Sequence, residues 1–151
     1  IMLNKKIMEL ALNKARKIKK DIPVCAIITK NDEIISIKTN KREEKNLITA
    51  HAEILALNDA NKKLKSLRLN DCDIYVTLEP CPMCAWAIIN SKIKNVYFSS
   101  YDINYGAFGG RINLAQIANS KINIKGGILE EEGCTLLKNY FKELRNEATS
   151  G

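Results

Sequence analysis

Two short motifs contain the residue types that proteins use to bind a transition metal. The first is His51-Ala52-Glu53 and the second is Pro80-Cys81-Pro82-Met83-Cys84. His51 is the only histidine among the 151 residues, so chemistry that needs an imidazole has one possible location. Cys81 and Cys84 are three positions apart and would share one face of a helix. Two thiolates and one neutral imidazole form a ligand set that suits zinc, so the motifs together predict a zinc site.

The number of protein ligands separates a catalytic zinc site from a structural one. Three protein ligands leave the fourth position to water, which is the arrangement found in catalytic sites. Glu53 follows the histidine by two residues, so it would lie close to the metal without binding it and is a candidate proton carrier. A structural site would need a fourth ligand, for which Cys72 or Cys134 is available. A Cys-x-x-Cys redox pair and a merely buried histidine remain as further alternatives.

Both motifs are predicted to lie where a helix begins. Thr49 stands in a helix N-cap position after a polar loop over residues 39–49, and apolar residues follow it at helical spacing. The segment Cys81–Asn90 is apolar on nearly all sides, which predicts a helix buried between two layers, and it comes directly after a short strand over Asp73–Thr77. The N–H groups and the dipole of a helix N-terminus favour negative charge and so lower the pKa of a thiol. This placement makes both cysteines available as thiolate ligands.

The remaining elements alternate between helices and strands. They are predicted as a helix over 2–20, strands over Val24–Thr29, Glu33–Lys38, Asn95–Ser99 and Ile122–Lys125, a flexible glycine-containing loop over Tyr101–Arg111, a short helix over Leu114–Ala118 and a closing helix over Thr135–Leu144. This order favours one mixed five-stranded sheet with helices on both faces. The sequence therefore predicts an α/β fold, a three-layer α/β/α sandwich, in a single domain over residues 1–151.

The composition limits the environment in which the protein works. Hydrophobic residues make up 46% of the chain, which excludes general disorder. A membrane span needs about 18–20 consecutive apolar residues, and no apolar run approaches that length. The odd number of cysteines argues against a disulfide framework, and the first residues lack the apolar stretch of a signal peptide. We therefore expect a cytoplasmic protein without a membrane span.

The charge is less specific. The formal net charge is +7, and residues 1–20 contain seven basic residues against the single acidic residue Glu9. A basic helix face of this density is able to contact the phosphates of a nucleic acid, but it is equally typical of a solvated helix surface. Charge by itself therefore does not identify the partner.

The motifs resemble those of the cytidine/deoxycytidylate deaminase superfamily, in which a His-x-Glu motif is combined with Pro-Cys-x-x-Cys. Within this superfamily, the sequence most resembles the bacterial tRNA-specific adenosine deaminases. This resemblance runs over almost the whole chain. The segments that carry it are Ile22-Pro23-Val24, Asn40, Thr49–Glu53, Thr77–Ala85, Tyr101–Ala107 and Gly127-Ile128-Leu129.

This resemblance implies a fold, a reaction and a set of residue roles. The fold is the five-stranded cytidine deaminase-like sandwich, and the reaction is hydrolytic deamination of the wobble adenosine in a tRNA anticodon loop to inosine. A homodimer with one zinc ion per chain is also implied. The implied roles are zinc binding by His51, Cys81 and Cys84, proton transfer by Glu53, contact with the flipped nucleotide by Asn40 and contact with a neighbouring nucleotide by Asp102.

Some positions depart from the family pattern, and other functions stay open. Cys25 and Trp86 stand where relatives often have glycine, and we expect both side chains to be packed in the interior. Asn104-Tyr105 departs from the pattern of the substrate loop. A deaminase of guanine, cytosine or deoxycytidylate would share every zinc residue. A zinc-stabilised RNA-binding module without enzymatic activity is the alternative outside the enzymes.

Overall fold

A computed structural model describes residues 2–150, in which six helices surround one five-stranded sheet. The strands are β1 (Cys25–Lys30), β2 (Glu33–Thr39), β3 (Cys72–Leu78), β4 (Asn95–Ser100) and β5 (Asn123–Lys125). The helices are α1 (Met2–Ala15), α2 (Arg42–Lys45), α3 (Ala52–Leu64), α4 (Pro82–Asn90), α5 (Leu114–Ile117) and α6 (Glu130–Ser150). The predicted order of elements is confirmed, with α2 as an addition. The end residues of the predicted 1–151 domain, Ile1 and Gly151, lie outside the described range.

The strands form a mixed sheet in the order β2-β1-β3-β4-β5. The hairpin strands β1 and β2 are antiparallel, and β1 is also antiparallel to β3. The strands β3, β4 and β5 are parallel to one another, with α4 and α5 in the crossover connections. The carboxyl ends of β3 and β4 therefore meet at one edge of the sheet, where α4 begins.

Helices cover both faces of the sheet. Ala26 and Ile28 of β1 belong to a core cluster with α3 and α4, whereas Cys25 and Ile27 belong to a second cluster with α1. This alternation follows from the two-residue period of a strand. The predicted α/β/α sandwich is confirmed, and so is the buried position of Cys25, where burial raises the pKa of the thiol to about 12.

Helix ends differ from the prediction at both ends of the chain. Helix α1 ends at Ala15 rather than at residue 20, because the lysine- and arginine-rich segment 16–20 must turn before the chain enters β1. Helix α6 begins at Glu130 rather than at Thr135. Its first turn is made of three glutamates, which stabilise a helix N-terminus through the helix dipole although they add nothing to the apolar pattern.

Three further expectations are corrected. The predicted loop over 39–49 contains the single turn of α2. The N-cap of α3 is His51 and not Thr49. The side chain of Trp86 is 48% exposed, because α4 buries Cys84 and the residues that share its face, and Trp86 lies on the opposite side.

The helices of residues 2–150 also bear on the membrane prediction. None of them combines the length and the apolar character needed to cross a bilayer.

Candidate active site

Two helix N-termini meet at the carboxyl edge of the parallel strands. His51 is the N-cap residue of α3, and Cys81 is the N-cap residue of α4, both with extended backbone. Neither side chain forms a capping hydrogen bond to its own helix, so both are available to other groups. Pro82 occupies the first turn of α4, where its missing N–H costs nothing.

The predicted ligands His51, Cys81 and Cys84 come together in space. Their ligand atoms all lie within 4.8 Å of one another. Nδ1 of His51 is 3.9 Å from Sγ of Cys81 and 3.5 Å from Sγ of Cys84. Tetrahedral zinc with ordinary bond lengths separates a nitrogen from a sulfur ligand by about 3.5 Å. The donor set and its spacing therefore fit a zinc ion.

The thiols and the imidazole influence one another's protonation. Hydrogen bonds from the Cys84 thiol and from His51 lower the pKa of Cys81 to about 4. The same bond to Cys81, together with burial, raises the pKa of Cys84. The interaction with Cys81 also raises the pKa of His51. One thiolate is thus already favoured at this point, which is the form that binds a metal.

Glu53 lies beside this cluster and is nearly inaccessible to water. Its side chain is 4% exposed and is close enough to hydrogen-bond the Cys84 thiol. Burial raises the pKa of Glu53 to about 7, and the negative charge of Cys81 adds to this effect. A carboxyl group with a pKa near neutral is able both to take and to give a proton at physiological pH.

A fourth cysteine ligand is not found at this cluster. Among the described residues, the group able to hold a metal consists of one histidine and two cysteines. Cys72 begins β3, about 20 Å along the strand from its other end, near which Cys81 follows. Cys134 instead pairs with Ser100, with 3.4 Å between Sγ and Oγ. The structural four-ligand alternative therefore has no support from this arrangement.

A cavity of about 470 Å³ opens onto the cluster. The predicted site residues His51, Glu53 and Cys81 lie in its wall. The other residues that line it include Asp21, Arg42, Asn40, Glu79, Asp102, Tyr105 and Tyr140.

Asn40 and Asp102 both line this cavity, and both also hold the local backbone. The amide of Asn40 donates to the carbonyl of Ile22 at 3.2 Å and accepts from the N–H of Arg42 at 3.1 Å. Because an amide has two N–H groups, Asn40 is able to hold Ile22 and still donate one further hydrogen bond. The carboxylate of Asp102 accepts hydrogen bonds from the N–H groups of Asn104 and Tyr105, the two residues that depart from the family pattern.

Sequence reasoning missed two buried carboxylates, Asp21 and Glu79, which are 3% and 2% exposed. Both belong to segments that precede a proline, Asp21 by two positions and Glu79 directly. An acidic residue beside a proline at the end of a regular element is the signal that could have found them, since buried carboxylates need hydrogen-bond donors.

Asp21 holds the short helix α2 against the cavity. Its two carboxylate oxygens accept the N–H of Glu43 at 2.6 Å and the N–H of Glu44 at 3.3 Å. These N–H groups belong to the first turn of α2 and have no partner within that helix. Asp21 therefore acts as a cap supplied by a distant part of the chain, and it positions the segment that contains Asn40 and Arg42.

Replacement of Asp21 by alanine is expected to lower the free energy of unfolding by about 1–2 kcal/mol, as for the loss of a helix cap. Chemical denaturation monitored by circular dichroism measures this change. The exposed Asp71→Ala variant removes the same charge from a turn and is the control. Equal stability of the two variants would show that Asp21 does not hold α2.

Comparison with known proteins identifies the family. A sequence model of the MafB19-like deaminases matches residues 2–145. The chain belongs to the MafB19-like deaminase family. The chain is 39% identical over 144 residues to the tRNA-specific adenosine deaminase of Bacillus subtilis strain 168, a match that covers 93% of the chain and 89% of the relative. The corresponding protein of Aquifex aeolicus strain VF5 is 39% identical over 142 residues, covering 92% of the chain and 94% of the relative.

Solved structures of similar proteins agree with this family. A structure from a study of A-to-I editing by tRNA:A34 deaminases at the wobble position of transfer RNA matches with a TM-score of 0.80 and 33% identity, covering 87% of the present chain and 99% of the solved one. A protein in complex with 8-azaguanine matches with a TM-score of 0.79 and 27% identity, covering 91% of the chain and 83% of that chain. The resemblance and the cytidine deaminase-like fold expected from the sequence are confirmed.

Proposed function

We propose that this protein is a zinc-dependent hydrolase that converts the wobble adenosine of a tRNA anticodon loop to inosine and releases ammonia. The observation that carries the proposal is a buried glutamate beside a His/Cys/Cys cluster in the wall of a cavity of about 470 Å³. The cavity lies within the range of about 300–1,000 Å³ that is usual for ligand pockets. The names of the relatives from Bacillus subtilis and Aquifex aeolicus support tRNA as the substrate.

The proposed metal ligands are His51 through Nδ1, Cys81 and Cys84, with one zinc ion per chain. Their close spacing supports this assignment, and the N-cap positions of His51 and Cys81 direct both side chains to one point. When bound, zinc would act as a Lewis acid that lowers the pKa of water toward about 7. Three protein ligands leave room for that water.

Glu53 is the proposed proton carrier of the reaction. Deamination replaces the amino group on C6 of adenine by the oxygen of water. The Glu53 carboxylate takes one proton from the attacking water and delivers it to N1 of the ring as the oxygen adds to C6. It then takes the second proton from the new C6 hydroxyl and delivers it to the amino group, so that the C6–N bond breaks, a carbonyl forms at C6 and ammonia leaves. Burial, which raises the pKa of Glu53 to about 7, suits both steps because the group exchanges protons without a large free-energy cost in either direction.

The target base must leave its stack to reach a buried glutamate. Bases of an anticodon loop are single-stranded and so are extruded at low cost. Asn40 is proposed to donate to the flipped nucleotide, and Asp102 is proposed to contact a neighbouring nucleotide. Their positions in the cavity wall support both roles.

The substrate is tested by incubating the purified zinc-loaded protein with total bacterial tRNA and with an anticodon stem-loop that has adenosine at the wobble position. Sequencing detects inosine as an A-to-G change. We expect inosine at this position only, and no reaction of a matched stem-loop with guanosine there.

Free guanine and cytosine are assayed in parallel by ammonia release. Guanine is the better supported of the two alternative substrates, since one similar solved protein is in complex with 8-azaguanine. Deamination of a free base without inosine formation would contradict the proposal. Binding of the stem-loop without any turnover would favour the non-enzymatic RNA-binding module.

We also propose that the protein is a homodimer. The groove beside α4 is lined by Pro82, Tyr105 and Ile112 together with the polar residues Asn104 and Arg111, and Trp86 lies one turn after Pro82 on the same face of the helix. Tyr105 is 70% exposed and Trp86 is 48% exposed. The side chains of Pro82, Trp86, Tyr105 and Ile112 form a patch on this face. A second copy related by a two-fold axis would cover this patch on both chains at once. Because Tyr105 also lines the cavity, the interface would adjoin the site.

Replacement of Trp86 by glutamate is expected to convert the dimer to a monomer, because the interface would lose the apolar indole ring and would have to bury a charged side chain. Sedimentation equilibrium measures the mass. Leu67→Glu, at an apolar residue that is 83% exposed and does not belong to this patch, is the control and should remain dimeric. A dimeric Trp86→Glu protein would place the interface elsewhere.

We propose that residues 1–151 form a single zinc-dependent deaminase domain, which the family match over residues 2–145 supports. We also propose that the protein is cytoplasmic. All five cysteines are free, which suits the reducing cytoplasm, where tRNA is also found.

A further inference from the structure

One buried carboxylate gathers three N–H groups from a single loop. Glu79 follows β3 and is 2% exposed. Its Oε1 accepts the N–H of Asp102 at 3.0 Å, and its Oε2 accepts the N–H of Phe108 at 2.9 Å and of Gly110 at 2.8 Å. All three donors are main-chain groups of the segment 101–111, which was predicted to be a flexible loop. The segment is instead tied to one side chain.

The loop passes so close to Glu79 that only glycine fits at two of its positions. A Cβ atom added to Gly106 or to Gly110 would overlap the Glu79 carboxylate and the carbonyl oxygen of Asp102. A further hydrogen bond, from the N–H of Ala107 to the carbonyl of Pro80 at 2.9 Å, ties the loop to the same strand end. The glycines therefore permit close wrapping around the carboxylate.

The same loop carries part of the cavity wall. Asp102 and Tyr105 line the cavity, and the Asp102 carboxylate accepts the N–H of Tyr105 at 3.1 Å. Glu79 holds Asp102 by its N–H, so the position of both wall residues depends on the Glu79 carboxylate. Glu79 is also two residues before Cys81, so the wall and the metal cluster share one strand end.

We infer that Glu79 is a positioning residue that holds the loop 101–111 in the shape that receives the substrate. It acts through Asp102 and Tyr105 and does not touch the reacting atoms. This inference rests on the proposed function, in which Asp102 contacts a nucleotide beside the target base. The two buried glutamates then have separable roles, since Glu53 transfers protons and Glu79 holds Asp102 and Tyr105 in the cavity wall.

The Glu79→Gln variant tests this assignment, because an amide of the same shape turns one acceptor into a donor that faces main-chain N–H groups. We expect KM for the anticodon stem-loop to rise about tenfold, as for the loss of one charge-assisted hydrogen bond. The kcat should change less than about threefold, because Glu53 and the metal cluster are untouched. Zinc content, measured by mass spectrometry, should stay at one per chain.

Hydrogen–deuterium exchange gives a second measurement that needs no substrate. Amides of the segment 101–111 should exchange faster in Glu79→Gln than in the wild-type protein, with other segments unchanged. Glu33→Gln is the matched control, since Glu33 is exposed at the far end of the β1–β2 hairpin from the cavity. It should leave exchange, KM and kcat as they are.

The Gly110→Ala variant disturbs the same contact from the loop side, because its added Cβ atom would overlap the Glu79 carboxylate, while Glu79 itself is unchanged. It should reproduce the rise in KM, and it decides the question if Glu79→Gln is not recovered folded. Unchanged exchange at 101–111, a loss of zinc, or a fall in kcat at constant KM would overturn the assignment. If the wild-type protein leaves the stem-loop unreacted, the proposed function fails instead, and the exchange result still tests whether Glu79 holds the loop.

Discussion

Replacement of Glu53 by glutamine is expected to reduce kcat for deamination by about 10²–10⁴-fold, the usual contribution of a general acid–base group, while zinc remains bound. Glutamine has nearly the same shape but neither accepts nor delivers a proton at neutral pH. The carboxyl group does not belong to the His/Cys/Cys cluster, so its loss should not release the metal. Inosine formation in single-turnover assays and zinc by mass spectrometry measure the two quantities.

The stability of this variant gives an independent check. Burial raises the pKa of Glu53 to about 7, which means that the fold disfavours the charged form. In the metal-free protein, a neutral amide at this position is therefore expected to leave the melting temperature unchanged or higher. Glu33→Gln, which removes an exposed carboxylate, is the control for both assays. A Glu53→Gln protein that retains turnover, or that loses zinc, would contradict the proposed role.

Replacement of Cys84 by alanine is expected to abolish zinc binding and turnover together. Cys84 is fully buried and its Sγ is 3.5 Å from Nδ1 of His51, so its loss leaves two of the three potential ligands of the described cluster. A ligand that binds only the folded state at about 1,000 times its dissociation constant contributes about 4 kcal/mol of stability. The variant should therefore also melt at a lower temperature, and a chelator should lower the melting temperature of the wild-type protein in the same way.

The other cysteines provide matched controls for this experiment. Cys72→Ser and Cys134→Ser change thiols that lie outside the cluster and should retain one zinc per chain. Loss of zinc from either variant would show a four-ligand structural site and would contradict an open position for water. The metal content of each purified protein, measured with and without chelator treatment, separates these outcomes.

Much of the fold was predictable because its elements follow local patterns. The alternation of Cys25, Ala26, Ile27 and Ile28 places successive side chains in two different core clusters, and this is a property of any strand covered on both faces. The predictions that differ from the structure concern the start of α6 and the side chain of Trp86, which the apolar periodicity does not specify. Helix α6 begins with glutamates that stabilise it by charge, and Trp86 was assigned to the interior from the apolar character of its neighbours.

The chemistry that is available can be read from the order of the residues. One histidine and a Cys-x-x-Cys pair, each placed at a predicted helix start, form a ligand set that suits zinc, and a glutamate two positions from the histidine is a candidate proton carrier. Within each motif these residues are at most three positions apart, so the relations are visible in the order of the residues. Residue type alone identifies which atoms can bind metal or carry protons.

How that chemistry is enclosed depends instead on the packing of distant segments. The burial of Glu53, the separation of Cys72 and Cys134 from the cluster, and the exposure of Trp86 depend on which elements pack together. Glu79 meets Gly110 across 31 positions of the chain, and Asp21 meets Glu43 across 22. Such contacts form because buried carboxylates need donors and loop N–H groups need acceptors, and no local pattern specifies which partners the fold brings within reach.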